Sequence, residues 1–333
     1  MSMTGRDIGI MEVISDIKDA KNGCVLTIGN FDGVHIGHQA ILSAAKRAAV
    51  DRATKLIVMT FEPHPLAVLR PQSPPGILTP LALKKHLLAQ FGVDYLFVVE
   101  SGDGLLRLSP ADFVNKFLVK DVQPYIVFEG EDFNFGAERV GGVDTLRQLG
   151  IKKGFEVCVI DSKEVKFMSG RIAKISSTMI RGMLEDGKVA DAAVALGRPY
   201  RLIERVVSGR GKGKQIGFPT ANMKRPRQII PAEGVYAGFA EIADSFERLL
   251  SAKEKLPAVF SIGRSQTLGN DNPLTLEAHL LVENTGDLLG KWLAMDFVKY
   301  IRSQIKFNSE KELAEQIARD CKETKKILGD VTQ

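Results

Sequence analysis

A chain of 333 residues with 44% hydrophobic and 26% charged residues is long enough to bury two separate cores and has the make-up of an ordinary globular protein. Its formal charge of +5 suits anionic ligands, of which nucleic acid is only one kind, and its three scattered cysteines, Cys24, Cys158 and Cys321, exclude a disulfide framework or a zinc pattern. They read as reduced, mostly buried thiols. "MSMTGRDIGIMEV" at the N-terminus lacks a signal-peptide core, and no run approaches the length that spans a bilayer, so the expectation is a cytoplasmic protein with no membrane partner.

Over the first 180 or so residues, short β-rich runs alternate with helix-period runs. "CVLTIG" (24–29) leads into "HQAILSAAKRAAV", and "KLIVMTF" (55–61) leads through a loop into "LALKKHLLAQF". "DYLFVV" (94–99) precedes "SPADFVNKFLV", where Ser109 suits a helix cap and Pro110 its first position. "YIVF" (125–128) and "FEVCVI" (155–160) continue the pattern, with a helix around "GVDTLRQLG" between them. Unbroken apolar strands separated by helices predict a doubly wound parallel sheet, which binds ligands beyond the C-terminal ends of its strands. "LEDGKVADAAVALG" reads as a short helical connector. From about Tyr200 the segments "YRLIERVV", "GVYAGFAEI", "LPAVFSI", "LTLEAHLLVE" and "WLAMDFVKYI" follow one another with no helix signal between them. They predict a small antiparallel β-barrel. A terminal helix follows in "SEKELAEQIARDCKETKKIL", where Ser309 and Glu312 have capping-box spacing.

The chemistry concentrates in a few stretches. "GNFDGVHIGH" ends the first long strand and puts His35 and His38 on one side of a helix start. Gly29, Gly33 and Gly37 permit a sharp turn and the close approach of a ligand. The free N–H groups there favour phosphate; a surface turn or a metal pair is the alternative, although Asp32 is a poor third ligand. In "FEPHP" the two prolines, Pro63 and Pro65, stiffen the loop that holds Phe61 and His64, either as a receptor for a planar ring or as a packed loop. "EGEDFNFG" (129–136) shapes an aromatic pocket or a turn with apolar anchors. "ISSTMIRGML" offers Ser176, Ser177 and Thr178 at a helix start with Arg181 one turn on, more than capping alone needs, and suits a triphosphate.

In "SGRGKGKQIGFPTANM" a flexible cationic loop precedes Thr220 and Asn222, whose oxygens could hold a magnesium ion carrying phosphate. The competing reading is a nucleic-acid patch extended by Lys224, Arg225 and Arg227. No P-loop pattern occurs. Glu277 interrupts the apolar strand "LTLEAHLL"; a carboxylate facing into a barrel needs a partner or a task such as accepting a proton, and an exposed strand Glu is the alternative.

In order and spacing, "GNFDGVHIGH", "FEPHP", "GEDFNFG", "ISSTMIR", "GRGKGKQIGFPTAN", "GVYAG" and "LEAHLL" resemble the bacterial bifunctional riboflavin kinase/FAD synthetase family over nearly the whole chain. The resemblance implies a parallel sheet of nucleotidyltransferase type in an FMN adenylyltransferase domain (1–186), a helical linker (187–199) and a riboflavin kinase barrel with a C-terminal helix (200–333). It implies that His35 and His38 bind ATP phosphates and stabilise charge during attack at the α-phosphorus. Gly29, Phe31, Gly37, Ser177, Thr178 and Arg181 would hold that ATP, and Phe61, Pro63, His64, Pro65, Asp132, Phe133 and Phe135 would border the flavin. In the kinase half, Gly211, Lys212, Lys214, Thr220 and Asn222 would bind ATP, Thr220 and Asn222 would position Mg²⁺, and Glu277 would be the base. The implied ligands are riboflavin, FMN, FAD and ATP, without nucleic acid, for a monomer or weak homo-oligomer. The stretch Ser261 to Leu268, Val282 and the Glu204–Arg205 pair depart from the family pattern while leaving the metal residues and the base in place. Other implied readings are an FAD synthetase with a degenerate flavin-binding barrel, and a regulatory flavin- or nucleic-acid-binding protein.

Overall fold

Apolar strands buried on both faces organise the first part of the chain. The computed structural model describes residues 11–20, 23–101, 104–252, 254–264 and 273–331. β1 (Glu12–Ile14), β2 (Cys24–Ile28), β3 (Lys55–Glu62), β4 (Tyr95–Glu100), β5 (Pro124–Gly130) and β8 (Glu156–Ile160) form one parallel sheet in the order β1-β4-β3-β2-β5-β8. Two short strands, β6 (Asn134–Phe135) and β7 (Gly141–Gly142), pair with each other on the way from β5 to β8. All five residues of β2 are buried, which explains why its sequence does not alternate. The doubly wound sheet is thus as expected, with the edge strand β1 as an addition that the sequence did not signal. The chain turns from β2 outward to β3 and β4, then returns to lay β5 on the other side of β2. The switch point therefore lies between β2 and β5.

Between the strands run the helices α1 (Ile36–Asp51), the short α2 (Pro65–Leu69), α3 (Leu81–Ala89), α4 (Pro110–Asp112) and α5 (Val143–Lys153). Leu42, Ala45 and Ala49 of α1 are fully buried, and the helix packs on β2, β3 and β5. Ser109 caps α4 by accepting from the Asp112 N–H, as its sequence suggests, but the helix then widens into a π-helical stretch from Phe113 to Val122. Phe113, Val114, Phe117, Leu118 and Val122 of this stretch are buried.

A small hairpin of β9 (Glu164–Lys166) and β10 (Ile172–Lys174) precedes α6 (Ser177–Glu185) and α7 (Val189–Leu196). By its internal contacts the chain divides into two compact units. One takes residues up to Val165 with Ala173–Ser177, and the other takes Lys166–Ile172 and everything from Thr178.

The second unit is built on a closed antiparallel barrel, β11-β12-β15-β14-β13-β16, of β11 (Tyr200–Val207), β12 (Ala221–Met223), β13 (Gly234–Ala243), β14 (Leu256–Arg264), β15 (Leu274–Leu280) and β16 (Trp292–Arg302). Two short helices, α8 (Lys212–Gln215) and α9 (Phe246–Leu250), interrupt what reads in sequence as a succession of strands only. α8 winds part of the cationic stretch expected to be a flexible loop. The interior is apolar, with Phe260, Ile262, Ala278 and Met295 fully buried. α10 (Glu310–Val331) has its cap as expected: Ser309 Oγ accepts from the Glu312 N–H, while the Glu312 carboxylate accepts from the Asn308 N–H. Its Asp320 takes a bidentate pair from Arg302 of β16 at 3.0 and 2.6 Å, which fixes the helix against the barrel. Cys24 is buried and Cys321 half-buried, but Cys158 is exposed on the edge strand β8, contrary to expectation.

Candidate active sites

The loop from Gly29 to His35 joins β2 to α1 and is held in an unusual shape. Gly33 has φ 88°, and two side-chain-bearing residues, Phe31 and Val34, lie in the left-handed region at 47° and 40°. Several bonds offset that strain. Asp32 accepts from the N–H groups of Leu78 and Thr79 and from the Thr79 hydroxyl, whose oxygen in turn accepts from Gly33 N–H at 2.8 Å. Ser177 Oγ donates to the Asp32 carbonyl at 2.8 Å, and Thr60 Oγ1 donates to the Asn30 carbonyl at 3.2 Å. Asp32 is thus a clamp rather than a ligand. The space left by Gly29 and Gly37 is taken by rings: a Cβ at Gly29 would come 3.3 Å from Phe31, and one at Gly37 3.1 Å from His35. These glycines admit the protein's own aromatic side chains.

His35 and His38 do share one side of the helix start, with their rings stacked at 3.7 Å and 15°. His35 is itself the cap of α1, its Nδ1 accepting from the His38 N–H at 3.3 Å. Among the described residues His38 Nδ1 is buried without a partner. Burial, helped by His35 and by Lys84, holds His38 well below the usual 6.5, so its imidazole is neutral at pH 7.

Beyond the ends of β2, β3 and β5 opens a cavity of about 640 Å³. Gly29, Phe31 and His38 line it, as do Phe61, His64, Pro65, Asp132, Phe133 and Phe135 from the expected flavin border. Phe133 stacks on Phe135 at 5.7 Å. Pro63 is not among the lining residues; its carbonyl accepts from Ser101 Oγ at 2.5 Å. His64 caps α2, its Nδ1 accepting from the Leu66 N–H.

Two ionisable residues here were missed from sequence. Glu129 lines the cavity at only 2% exposure, accepts from the Ile28 N–H at 2.8 Å, and is pushed well above 4.5 by burial. Lys84 of α3 is 4% exposed and is pushed down by burial, while Asp32 and Glu62 favour its charge. The signal for Lys84 was its i, i+3 and i+4 spacing to the buried Leu87 and Leu88. Ser177 opens α6, as expected, but its hydroxyl is engaged by Asp32. Thr178 and Arg181 continue that helix within the second unit.

On the barrel, Asn222 of β12 pairs with Glu277 of β15, which pairs with Ser261 of β14. Leu276, Ala278 and Leu280 are the buried residues of β15, so Glu277 points away from the barrel interior, against expectation. The interior is filled with apolar side chains; the carboxylate opens instead into a cavity of about 240 Å³ on the outer face. Arg210, Gly211, Thr220, Asn222 and Glu277 line that cavity, walled by Phe307, and by Leu313 and Ile317 of α10. Burial raises Glu277 above 4.5, opposed by the Thr220 hydroxyl donating to it and by the charge of Arg210. A Cβ at Gly209 would overlap the Asn222 amide, so this turn needs glycine. Gly211 is left-handed at 72°. Lys214 is exposed and not among the lining residues, and the side chain of Lys212 lies outside the description. Of the divergent stretch, Ser261 to Arg264 belong to β14, with Arg264 paired to Glu233, whereas Ser265 to Leu268 fall outside the described residues. Arg205 lies over the Trp292 ring at 4.9 Å.

Residues 17–179 match the family model of FAD synthetase, and residues 196–328 that of riboflavin kinase. The bifunctional riboflavin kinase/FMN adenylyltransferase of Escherichia coli K12 is 38% identical over 93% of this chain and 94% of its own. That of Bacillus subtilis is 36% identical over 95% and 96%. The crystal structure of a macrolide-efflux protein from Streptococcus pneumoniae superposes with a TM-score of 0.80 at 28% identity, covering 95% of this chain and 99% of that one. Among the described residues no helix is long and apolar enough to cross a membrane. With both family models matched in order and the curated relatives covered almost end to end, the chain belongs to the bifunctional riboflavin kinase/FMN adenylyltransferase family.

Proposed function

We propose that the barrel phosphorylates riboflavin to FMN with ATP, and that the parallel-sheet part adenylylates FMN to FAD with release of pyrophosphate. The observation that carries this reading is that each unit holds its own cavity, floored by groups suited to one of the two steps. We divide the chain into residues 1–186, 187–199 and 200–333, a division supported by the two matched spans.

In adenylyl transfer the FMN phosphate oxygen attacks the α-phosphorus of ATP. His35 and His38 bind the ATP phosphates; a neutral His38 donates an N–H to the charge that develops there, and His35 also orients it by stacking and capping. Ser177, Thr178 and Arg181 hold the remaining phosphates, and the Phe61 and Phe133–Phe135 aromatics border the flavin. In the kinase step Glu277 accepts the proton of the ribityl hydroxyl as its oxygen attacks the γ-phosphorus.

Thr220 and Asn222 present a hydroxyl and an amide oxygen beside the Glu277 carboxylate. That hard-oxygen set, with Gly209 leaving room for the Asn222 amide, fits Mg²⁺. When bound, the ion neutralises charge on the ATP phosphates. Arg210 and Gly211 of the cationic turn serve ATP rather than nucleic acid. The working form is a cytoplasmic monomer or weak homo-oligomer.

Chromatography of products after incubation with riboflavin, ATP and Mg²⁺ tests the whole reading, with FMN and then FAD as the expected products. FAD from supplied FMN but no FMN from riboflavin would instead identify a degenerate barrel. Absence of turnover with either substrate would leave a binding protein.

A further inference from the structure

Lys84 is a buried ammonium with no part in the chemistry so far, and its connections all lead to one place. Its Nζ donates to Thr60 Oγ1 at 3.4 Å, and the Thr60 hydroxyl, fully buried, donates to the Asn30 carbonyl at 3.2 Å. Asn30 stands beside the strained Phe31 in the loop that ends in His35. The turn leading into α3 grips that loop a second time, since Leu78 and Thr79 donate to Asp32 and Thr79 Oγ1 accepts from Gly33. Three charged or titratable groups face Lys84: Asp32 from the loop, Glu62 from the end of β3 and His38 from α1. His38 in turn is faced by His35 and Lys84.

Burying an ammonium gives up favourable hydration that a surface lysine keeps. Its place under a phosphate-binding loop has two consequences. The relay through Thr60 fixes the carbonyl of Asn30 against the strain of the following residue. A cation behind the histidines also adds to the positive potential that a polyphosphate meets.

We propose that Lys84 is a positioning residue for adenylyl transfer, which props the Gly29–His35 loop through Thr60 and sets a fixed positive charge behind His38. The proposal rests on the reading of His35 and His38 as the phosphate-binding pair.

The test uses the full chain with Lys84→Met and Thr60→Val. The rates of FAD formation from FMN and of FMN formation from riboflavin are measured on the same preparations, and the His38 imidazole is titrated by NMR. For Lys84→Met we expect kcat for FAD formation to fall about tenfold or more, with the kinase rate unchanged. Loss of the cation favours the imidazolium, so the His38 titration should move up by about half a unit or more. Thr60→Val, which cuts the relay and keeps the charge, should lower kcat without moving that titration. A Lys84→Met kcat within about twofold of wild type, or a lower kcat with His38 unmoved, overturns the proposal. If Lys84→Met does not fold, Thr60→Val decides: a wild-type kcat overturns it. His38→Ala is assayed alongside. If that variant still makes FAD, the histidine reading itself has failed; if it does not, an unaffected Lys84→Met refutes the role of Lys84 alone.

Discussion

The two sites that we assign to displacement at phosphorus both favour a neutral group by burial, but the neighbours of that group act in opposite senses. On the parallel sheet, burial and a neighbouring lysine drive His38 toward its neutral form. On the barrel, burial lifts Glu277 toward its protonated form, and the Thr220 hydroxyl with Arg210 pulls it back. The first site sits where every fold of this topology has its crevice, at a switch point formed by strand ends. The second sits on the outer face of a closed barrel, where a cross-strand row of Asn222, Glu277 and Ser261 makes the floor. A sheet of strand ends presents backbone and loops to its ligand. A barrel wall presents side chains at register positions. The proposed adenylyl-transfer site accordingly depends on loop strain and clamps, and the proposed kinase site on pairing register.

The sharpest way to separate the two is to remove one chemistry at a time. Glu277→Gln should lower FMN formation from riboflavin by about 10²-fold or more and leave the conversion of supplied FMN to FAD intact. His38→Ala should do the reverse by a similar factor, through loss of a donor to developing charge. Initial rates of the two half-reactions on each variant check this; a variant that lowers both would mean that the sites are not independent.

Register dependence predicts a second effect. Gly209→Ala places a methyl group where the Asn222 amide lies, so it should lower kinase kcat by about tenfold or more while sparing FAD formation. An unchanged kinase rate would show that Asn222 is not held by this turn.

The opposite pKa shifts give the two reactions different acid limbs. As the proposed base Glu277 must be ionised to act, and its value is raised, so the kinase rate should fall as the pH drops through a limb lying above 4.5. His38 is already neutral at and somewhat below 6.5, so FAD formation should show no limb at 6.5 from this residue. Measuring both rates between about pH 8 and pH 5 tests the contrast. A limb at 6.5 in FAD formation that vanishes in His38→Ala would refute it.

The smallest effect is one of stability. Glu129 keeps its proton in the folded state at pH values where the unfolded chain, with a carboxyl near 4.5, has lost it. The folded state then binds more protons than the unfolded one, so this group's contribution to stability falls as the pH rises from about 4.5 toward the folded value and stays constant above it. Glu129→Gln should remove that slope, seen as denaturation midpoints that decline less with rising pH than those of wild type.

Much of this protein was legible in its residues because the signals are local. Apolar runs bounded by glycine and proline mark β2, β3 and β5; Ser109 and Ser309 mark their helix starts; and His35 and His38 fall together because spacing of three residues on a helix is independent of context. What tertiary structure decided lies where local rules carry no information. Period-2 alternation put Glu277 opposite Leu276 and Ala278, but only barrel closure determined that the apolar set faces in and the carboxylate out. The sequence of α3 shows Lys84 on an apolar face, yet not that this face lies beneath the histidine loop, because Thr60 of β3 and Asn30 of the loop after β2 come from distant parts of the chain. The sequence puts Ser177 at a helix start, but does not show that its hydroxyl donates to the carbonyl of a residue 145 positions earlier. Side-chain periodicity says which residues share a face; what that face meets depends on contacts between segments far apart in the chain, which only the assembled sheet and barrel bring together.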